Sequence, residues 1–123
     1  MKLKFISIDE KKLKDYIVIV AKSKVLSAVQ TAVLTSRFEN TRSKTEAESI
    51  KRELVESNLR VVTGIANKYR GAGVTFAGLI AVGNRALVKS VKSYSGQKLR
   101  NFAQHILWNV EGAVMEAVAD VEK

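Results

Sequence analysis

The residues best able to do chemistry in this chain fall into five groups, and each has a plain structural reading beside the chemical one. Gly71-Ala72-Gly73 precedes a helical pattern, as glycine loops that cradle phosphates do, but no Gly-Lys-Ser/Thr follows, so the pair reads as a helix break. His105 is the only histidine and there is no cysteine, which leaves no ligand cluster for zinc and no disulfide. Glu46, Glu48, Glu53 and Glu56 sit near Lys51, Arg52 and Arg60 at helical spacings and read as a solvated, ion-paired face. Arg85, Lys89 and Lys92 form a basic stripe, read first as a solvated face and second as a set of phosphate contacts. His105, Trp108, Gly112, Met115 and Ala119 recur at spacings of three and four on the outer side of the last helical segment. That stripe is either buried by the N-terminal segment or a contact surface for a partner protein or for stacked bases, which gain about 1–3 kcal/mol per base on an aromatic ring. No serine, histidine and acid fall into a nucleophile motif. Nothing here points to an enzyme, and no cofactor is implied.

The elements that must position these groups follow from periodicity. Asp9 is placed as an N-cap, with Ile8 and Leu13 as a staple, for a helix running to about Thr35 through Leu13, Ile17, Val20, Lys24 and Ala28, with Val18, Ile19, Val25, Leu26 and Val29 widening its apolar face. The β-branched run Ile17-Val18-Ile19-Val20 suits a strand as well. Residues 36–42 read as a connection. Ser43 and Glu46 form a capping box that opens a second helix lasting to about Arg70, with Leu54, Asn58, Val61, Ile65 and Tyr69 along one stripe and Val62 beside them. Thr75 caps a third helix with Phe76, Leu79, Ile80, Gly83, Leu87 and Val91 inward. A fourth runs from about Lys98 to Val121, with Phe102, Ile106, Val110, Ala113, Val114, Ala117 and Val121 inward. The expectation is an all-α chain, a compact helical bundle in a single domain over residues 1–123.

The chain has no proline, 46% hydrophobic residues and a net charge of +9. That charge favours a polyanionic partner, nucleic acid first. It is unevenly spread. Residues 1–42 hold nine basic and four acidic side chains, and residues 71–97 three basic and none acidic, whereas residues 98–123 hold three basic and four acidic. The apolar runs are too short to span a membrane and no signal peptide is evident, so the expected setting is intracellular, the cytoplasm.

The run Asn58-Leu59-Arg60-Val61-Val62, Ile65-Ala66 and Lys68-Tyr69-Arg70-Gly71-x-Gly73 resembles region 2 of bacterial RNA polymerase sigma factors of the primary type. Leu79-Ile80, Gly83-Asn84, Leu87 and Val91 continue the likeness, and Phe102, Trp108, Val110, Ala113-Val114 and Ala117 to Asp120 carry it to the end. The resemblance runs without an evident gap from about Glu53 to Asp120, so that residues 43–123 are read as the helices similar to region 2 and residues 1–42 as an N-terminal helical segment without a matching motif. The resemblance implies the RNA polymerase core as partner, bound at its largest-subunit clamp helices by the third helix through Leu79, Ile80, Val82, Asn84 and Leu87. It implies promoter DNA as a second partner, met by Lys98, Arg100, Phe102, His105, Trp108, Asn109, Gly112 and Met115. It also implies a further protein for upstream contacts, because no helix-turn-helix follows. A short and divergent form of this kind would suit a bacteriophage or mobile element.

The departures from the family are specific. Gly78, Ala81 and Val82 stand where the docking helix carries an aspartate and a Gln-Glu pair. Asn109 replaces the second of two tryptophans, and Glu111 and Glu116 stand where arginines often contact phosphates. Reversed charge at two phosphate contacts opposes the main sequence-independent source of DNA affinity. A sigma-like initiation factor and a sigma-fold interaction module that no longer reads DNA are both compatible with these residues, as is a general nucleic-acid binder driven by charge.

Overall fold

A computed structural model describes residues 10–94 and 101–121, and every regular element within them is helical. A 3-10 turn (Glu10–Lys12) leads into α1 (Leu13–Ala21), followed by α2 (Ala28–Asn40), α3 (Lys44–Glu56), α4 (Leu59–Lys68), α5 (Phe76–Ser93) and α6 (Phe102–Val121). Asp9, the N-cap expected for the first helix, lies outside the described residues, as do Lys98 and Arg100.

Two of the expected helices are split, and side chains explain both breaks. The first ends at Ala21, where the Ser23 hydroxyl donates to the Val20 carbonyl at 2.6 Å. The next begins at a two-way capping box: the Gln30 amide donates to Ser27 Oγ at 3.1 Å, and the Ser27 amide donates to Gln30 Oε1 at 2.9 Å. Helix α2 then runs through Asn40, over most of the stretch read as a connection. The second break falls at Ser57-Asn58. Both side chains turn back onto the Leu54 carbonyl, Ser57 Oγ at 3.2 Å and Asn58 Nδ2 at 2.7 Å, and so compete with the helical ladder. The β-branched run from Ile17 to Val20 is helical, and of the residues expected to widen its apolar face Val18, Ile19, Val25 and Val29 are exposed while Leu26 is half-buried.

The expected N-caps at Ser43 and Thr75 are present, each hydroxyl accepting from the amide three residues on. The box expected at Ser43 is only half formed, because the Ser43 amide donates to Thr41 Oγ1 at 3.2 Å instead of to Glu46. Gly71 and Gly73 have φ of 85° and 96°, a backbone conformation that a side chain would strain, which makes them a structural helix break.

The core gathers at the crossing of α4, α5 and α6. Val62, Leu79, Ile80, Leu87, Val110 and Val114 are fully enclosed there, with Leu54 and Val55 of α3 beneath them. The buried stripe of the second helical stretch is Leu54, Leu59, Val62, Ile65 and Ala66. Asn58, Val61 and Tyr69 are only half-buried, because the break at Ser57 rotates the register. Helices α5 and α6 run antiparallel, since Gly83 lies against Val110 and Val114 while His105 reaches Ser90. Of the residues expected inward on α6, Ala113 and Ala117 are half-buried and Val121 is exposed.

Helix α1 is fastened to this core by Tyr16 and Val20 and by one arginine. Arg60, expected on a solvated face, instead donates to the carbonyls of Val20 (3.3 Å), Ala21 and Ser23 (3.1 Å). Those carbonyls lie at and just past the end of α1, and a guanidinium can serve several of them at once. Lys51, also expected in solvent, is buried and donates to Glu48 at 3.0 Å, and Lys24 lies 3.7 Å from Glu53.

Gly83 sets how closely the three central helices approach. A Cβ built there would meet Val62 Cγ1 at 2.6 Å, whereas one at Gly64 would meet nothing within 4 Å. Alanine should therefore act oppositely at the two sites. Gly83→Ala should lower unfolding free energy by about 1–3 kcal/mol through overpacking. Gly64→Ala should raise it by up to about 1 kcal/mol through helix propensity. Urea midpoints of the two variants check both signs.

Candidate functional site

Helix α5 was expected to present Leu79, Ile80, Val82, Asn84 and Leu87 to a partner. Leu79, Ile80 and Leu87 are completely enclosed, and Asn84 is 1% exposed. These four face α4, α6 and α1 because they share the helix side with Gly83, which the core claims. Val82 is half-buried and reaches the surface. The Asn84 amide nitrogen donates to the Tyr16 hydroxyl at 3.1 Å and ties α5 to α1. The face of α5 that solvent does reach carries Ala81, Val82, Arg85, Val88, Lys89 and Lys92, the three cations being exposed. It is small and apolar toward the N-terminal end and cationic toward the C-terminal end.

Helix α6 divides its expected contact residues in the same way. Phe102 and His105 are buried. The Tyr94 ring sits edge-on to Phe102 at 5.1 Å between centroids and lies 5.4 Å from His105, closing over both. His105 was expected on the outer stripe. Its Nε2 lies 2.9 Å from the Ser90 carbonyl, which can only accept, so this nitrogen carries the proton. Ser93 Oγ lies 3.3 Å from the same nitrogen. Asn109 is half-buried and donates to the His105 carbonyl at 2.7 Å, within the helix.

Trp108, Gly112 and Met115 are brought together on the outside. Trp108 is 68% exposed and Met115 50%, with Leu107 at 49% beside them. With Gln104, Glu111 and Lys68 they line an open groove of about 710 Å³. Among the described residues, its lining comes from α4 and α6 and from none of the N-terminal helices. Its far wall is an ion pair across two helices, Lys68 Nζ on α4 lying 2.7 Å from Glu111 Oε2 on α6. The hydrogen bond to Glu111 raises the Lys68 ammonium above its ordinary value. Between Asn101 and Val121 there are three carboxylates, Glu111, Glu116 and Asp120, and no lysine or arginine.

Three contributors escaped sequence reasoning. Leu107 adjoins Trp108, and its neighbourhood alone could have flagged it. Lys68 and Tyr16 carry no such signal, because their partners Glu111 and Asn84 lie 43 and 68 residues away. Among the described residues, no group of three or more His, Cys, Asp or Glu is placed to hold a metal ion, and no helix is long and apolar enough to cross a membrane.

The similarity that this run of motifs on α4, α5 and α6 carries is to one class of protein, the sigma factors of bacterial RNA polymerase. The chain is 40% identical over 73 residues to RNA polymerase sigma factor SigA of a Bacillus species, a match covering 59% of this chain and 19% of that protein. It is 32% identical over 115 residues to RNA polymerase sigma factor SigA of Clostridium acetobutylicum, covering 94% of this chain and 29% of that one. The chain is thus related to a region of a primary sigma factor, and it spans about a fifth to three-tenths of the length of these relatives. The longer match extends into the first 42 residues, which no motif had connected with the family. No protein-family profile matches the chain.

The Tyr16–Asn84 contact carries a pH signature. Burial pushes the Tyr16 phenol above its ordinary value of 10.0, and the Asn84 hydrogen bond offsets part of that rise. The neutral phenol is the form that the fold stabilises. Its contribution is therefore fully present below pH 10 and is lost as pH rises through the elevated folded value. Tyr16→Phe should flatten the alkaline fall in stability above pH 10, which denaturant titrations between neutral pH and pH 11 would read.

Proposed function

We propose that this chain is a sigma-like transcription initiation factor, binding the RNA polymerase core through the exposed face of α5 and directing or assisting promoter recognition, with a partner protein for upstream contacts. The observation that carries this reading is the likeness to SigA across 94% of the chain. In it, Leu79, Ile80, Asn84 and Leu87 serve from within, fixing the pitch and position of α5. Val82 and the cations Arg85 and Lys89 meet the largest-subunit clamp helices. Promoter contacts come from Trp108, Asn109, Gly112 and Met115, assisted by Lys98 and Arg100. Its place of action is the cytoplasm, and its role is binding rather than catalysis.

A second reading has its own support. The exposed side of α6 offers carboxylates where a DNA strand would require cations, so the bundle serves as a protein-interaction module or regulator of transcription that no longer reads promoter DNA.

Gel filtration with purified core RNA polymerase tests the first reading. The protein should co-elute with the core, and Val82→Asp combined with Arg85→Glu should weaken association by about tenfold or more, equivalent to about 1.4 kcal/mol. Failure of the unaltered protein to associate would remove it. Promoter opening then separates the two readings. A promoter-reading factor should lose opening with Trp108→Ala and keep or gain it with Glu111→Arg, whereas an interaction module should lose partner binding with Glu111→Arg.

A further inference from the structure

We infer that the groove between α1 and α4 binds an acidic, apolar segment of a partner protein, with Arg60 and Arg70 taking its carboxylates. This surface is separate from the exposed faces of α5 and α6, so the inference depends on neither reading above.

The groove opens where α4 lacks a side chain beside α1. Gly64 lies midway along its α4 wall, and a Cβ built there would meet nothing within 4 Å. The open space measures about 480 Å³, and its floor is Ile17, Val20 and Ala21 of α1 with Phe76 at the start of α5. At 100° per residue, Arg60, Gly64, Asn67 and Arg70 fall within about 120° of one another. One side of α4, with the turn that follows it, therefore presents all four.

Charge selects the occupant. Arg60 and Arg70 are the charged residues of the lining, and no acid is among it. No aspartate or glutamate occurs between Glu56 and Glu111, so α4 and α5 bring no carboxylate to neutralise them. Among the described residues the ion pairs are Lys24–Glu53, Lys51–Glu48 and Lys68–Glu111, and neither arginine takes part. Arg60 spends its Nε and Nη2 hydrogens on the carbonyls of Val20, Ala21 and Ser23. Those acceptors are neutral, so the guanidinium keeps its charge and its Nη1 hydrogens stay unspent. Arg70 is exposed and stacks over the Phe76 ring, 4.5 Å from its centroid. Stacking fixes the plane of a guanidinium and leaves the N–H groups around its rim available.

The form of the site favours a peptide over a nucleic-acid strand. Arg60 and Arg70 are separated by about 15 Å of helix axis. An extended peptide covers that distance in about five residues. A carboxylate near each end would meet a guanidinium in paired hydrogen bonds while apolar side chains between them cover the aliphatic floor. Strands of nucleic acid held without base readout rely on open aromatic faces for stacking. Phe76, the ring in this lining, already carries Arg70, and the rest of the floor is aliphatic.

Fluorescence anisotropy of labelled probes, titrated with the full chain, tests this. The probes are a short synthetic peptide with leucines between terminal glutamates, the same peptide with glutamines replacing the glutamates, and a single-stranded oligothymidylate. The glutamate peptide should bind saturably, about tenfold tighter than the glutamine peptide. Arg70→Gln should weaken it about fivefold or more. Lys44→Gln removes the same charge from α3, outside the groove, and should change it less than about twofold. Gly64→Leu should fill the groove and weaken the glutamate peptide about tenfold or more, with far-UV circular dichroism unchanged and Tm unchanged or raised. The inference is overturned if the glutamate peptide fails to bind or binds no better than the glutamine one. It is also overturned if the two charge variants weaken binding equally, which would make net charge the cause, or if Gly64→Leu binds like the unaltered protein. Tighter binding of the oligothymidylate, lost in Gly64→Leu, would assign the groove to nucleic acid instead.

Discussion

The absence of a single side chain, at Gly83, is the constraint on which the bundle depends. Val62 from α4 and Val110 and Val114 from α6 converge on that backbone, with Val62 Cγ1 occupying the space a Cβ would need. Close approach of three helices encloses Leu79, Ile80, Leu87 and Val91 on α5 and Ile106 on α6, so the apolar burial that drives folding follows from it. A glycine inside a helix costs conformational entropy relative to alanine, and here the packing it permits outweighs that cost.

Residues close in sequence to their effects were legible before the structure. The caps at Ser43 and Thr75, the turn at Gly71 and Gly73, and the inward face of α5 all follow from local rules of spacing and hydrogen bonding. The Ser27–Gln30 box is equally local, yet an apolar periodicity that runs on from Val20 through Ala28 masks it. The break at Asn58 depends on a side chain choosing the Leu54 carbonyl over solvent, which composition does not announce. Contacts across long separations were out of reach: Arg60 on the end of α1, Tyr16 on Asn84, and Lys68 on Glu111 each need the fold before they exist. His105 shows the same limit. Its spacing places it with Trp108, but Tyr94 and the α5 carbonyl at Ser90 draw it inward.

The likeness to sigma factors is carried mainly by residues that pack, and the departures from it by residues that solvent reaches. Leu79, Ile80, Asn84 and Leu87, on which the resemblance in sequence was drawn, lie in the core, while Ala81, Val82, Glu111 and Glu116, read as departures from it, lie on the outer sides of α5 and α6. Interior positions are bound by volume and hydrogen bonding to several neighbours at once, so few substitutions fit. Outer positions answer only to partners. A chain can thus keep the geometry of its relatives while its surfaces turn toward different charges, and the opposite electrostatic character of α5 and α6 is what such a division produces.

The central claim is that the junction at Gly83 makes α4, α5 and α6 one cooperative unit, with its surfaces free to diverge. Native-state hydrogen exchange tests it most directly. The slowest amides of all three helices should open with one shared free energy, equal to that of global unfolding from denaturant titration. Amides of α6 opening at a distinctly lower free energy, while α4 and α5 stay protected, would contradict it.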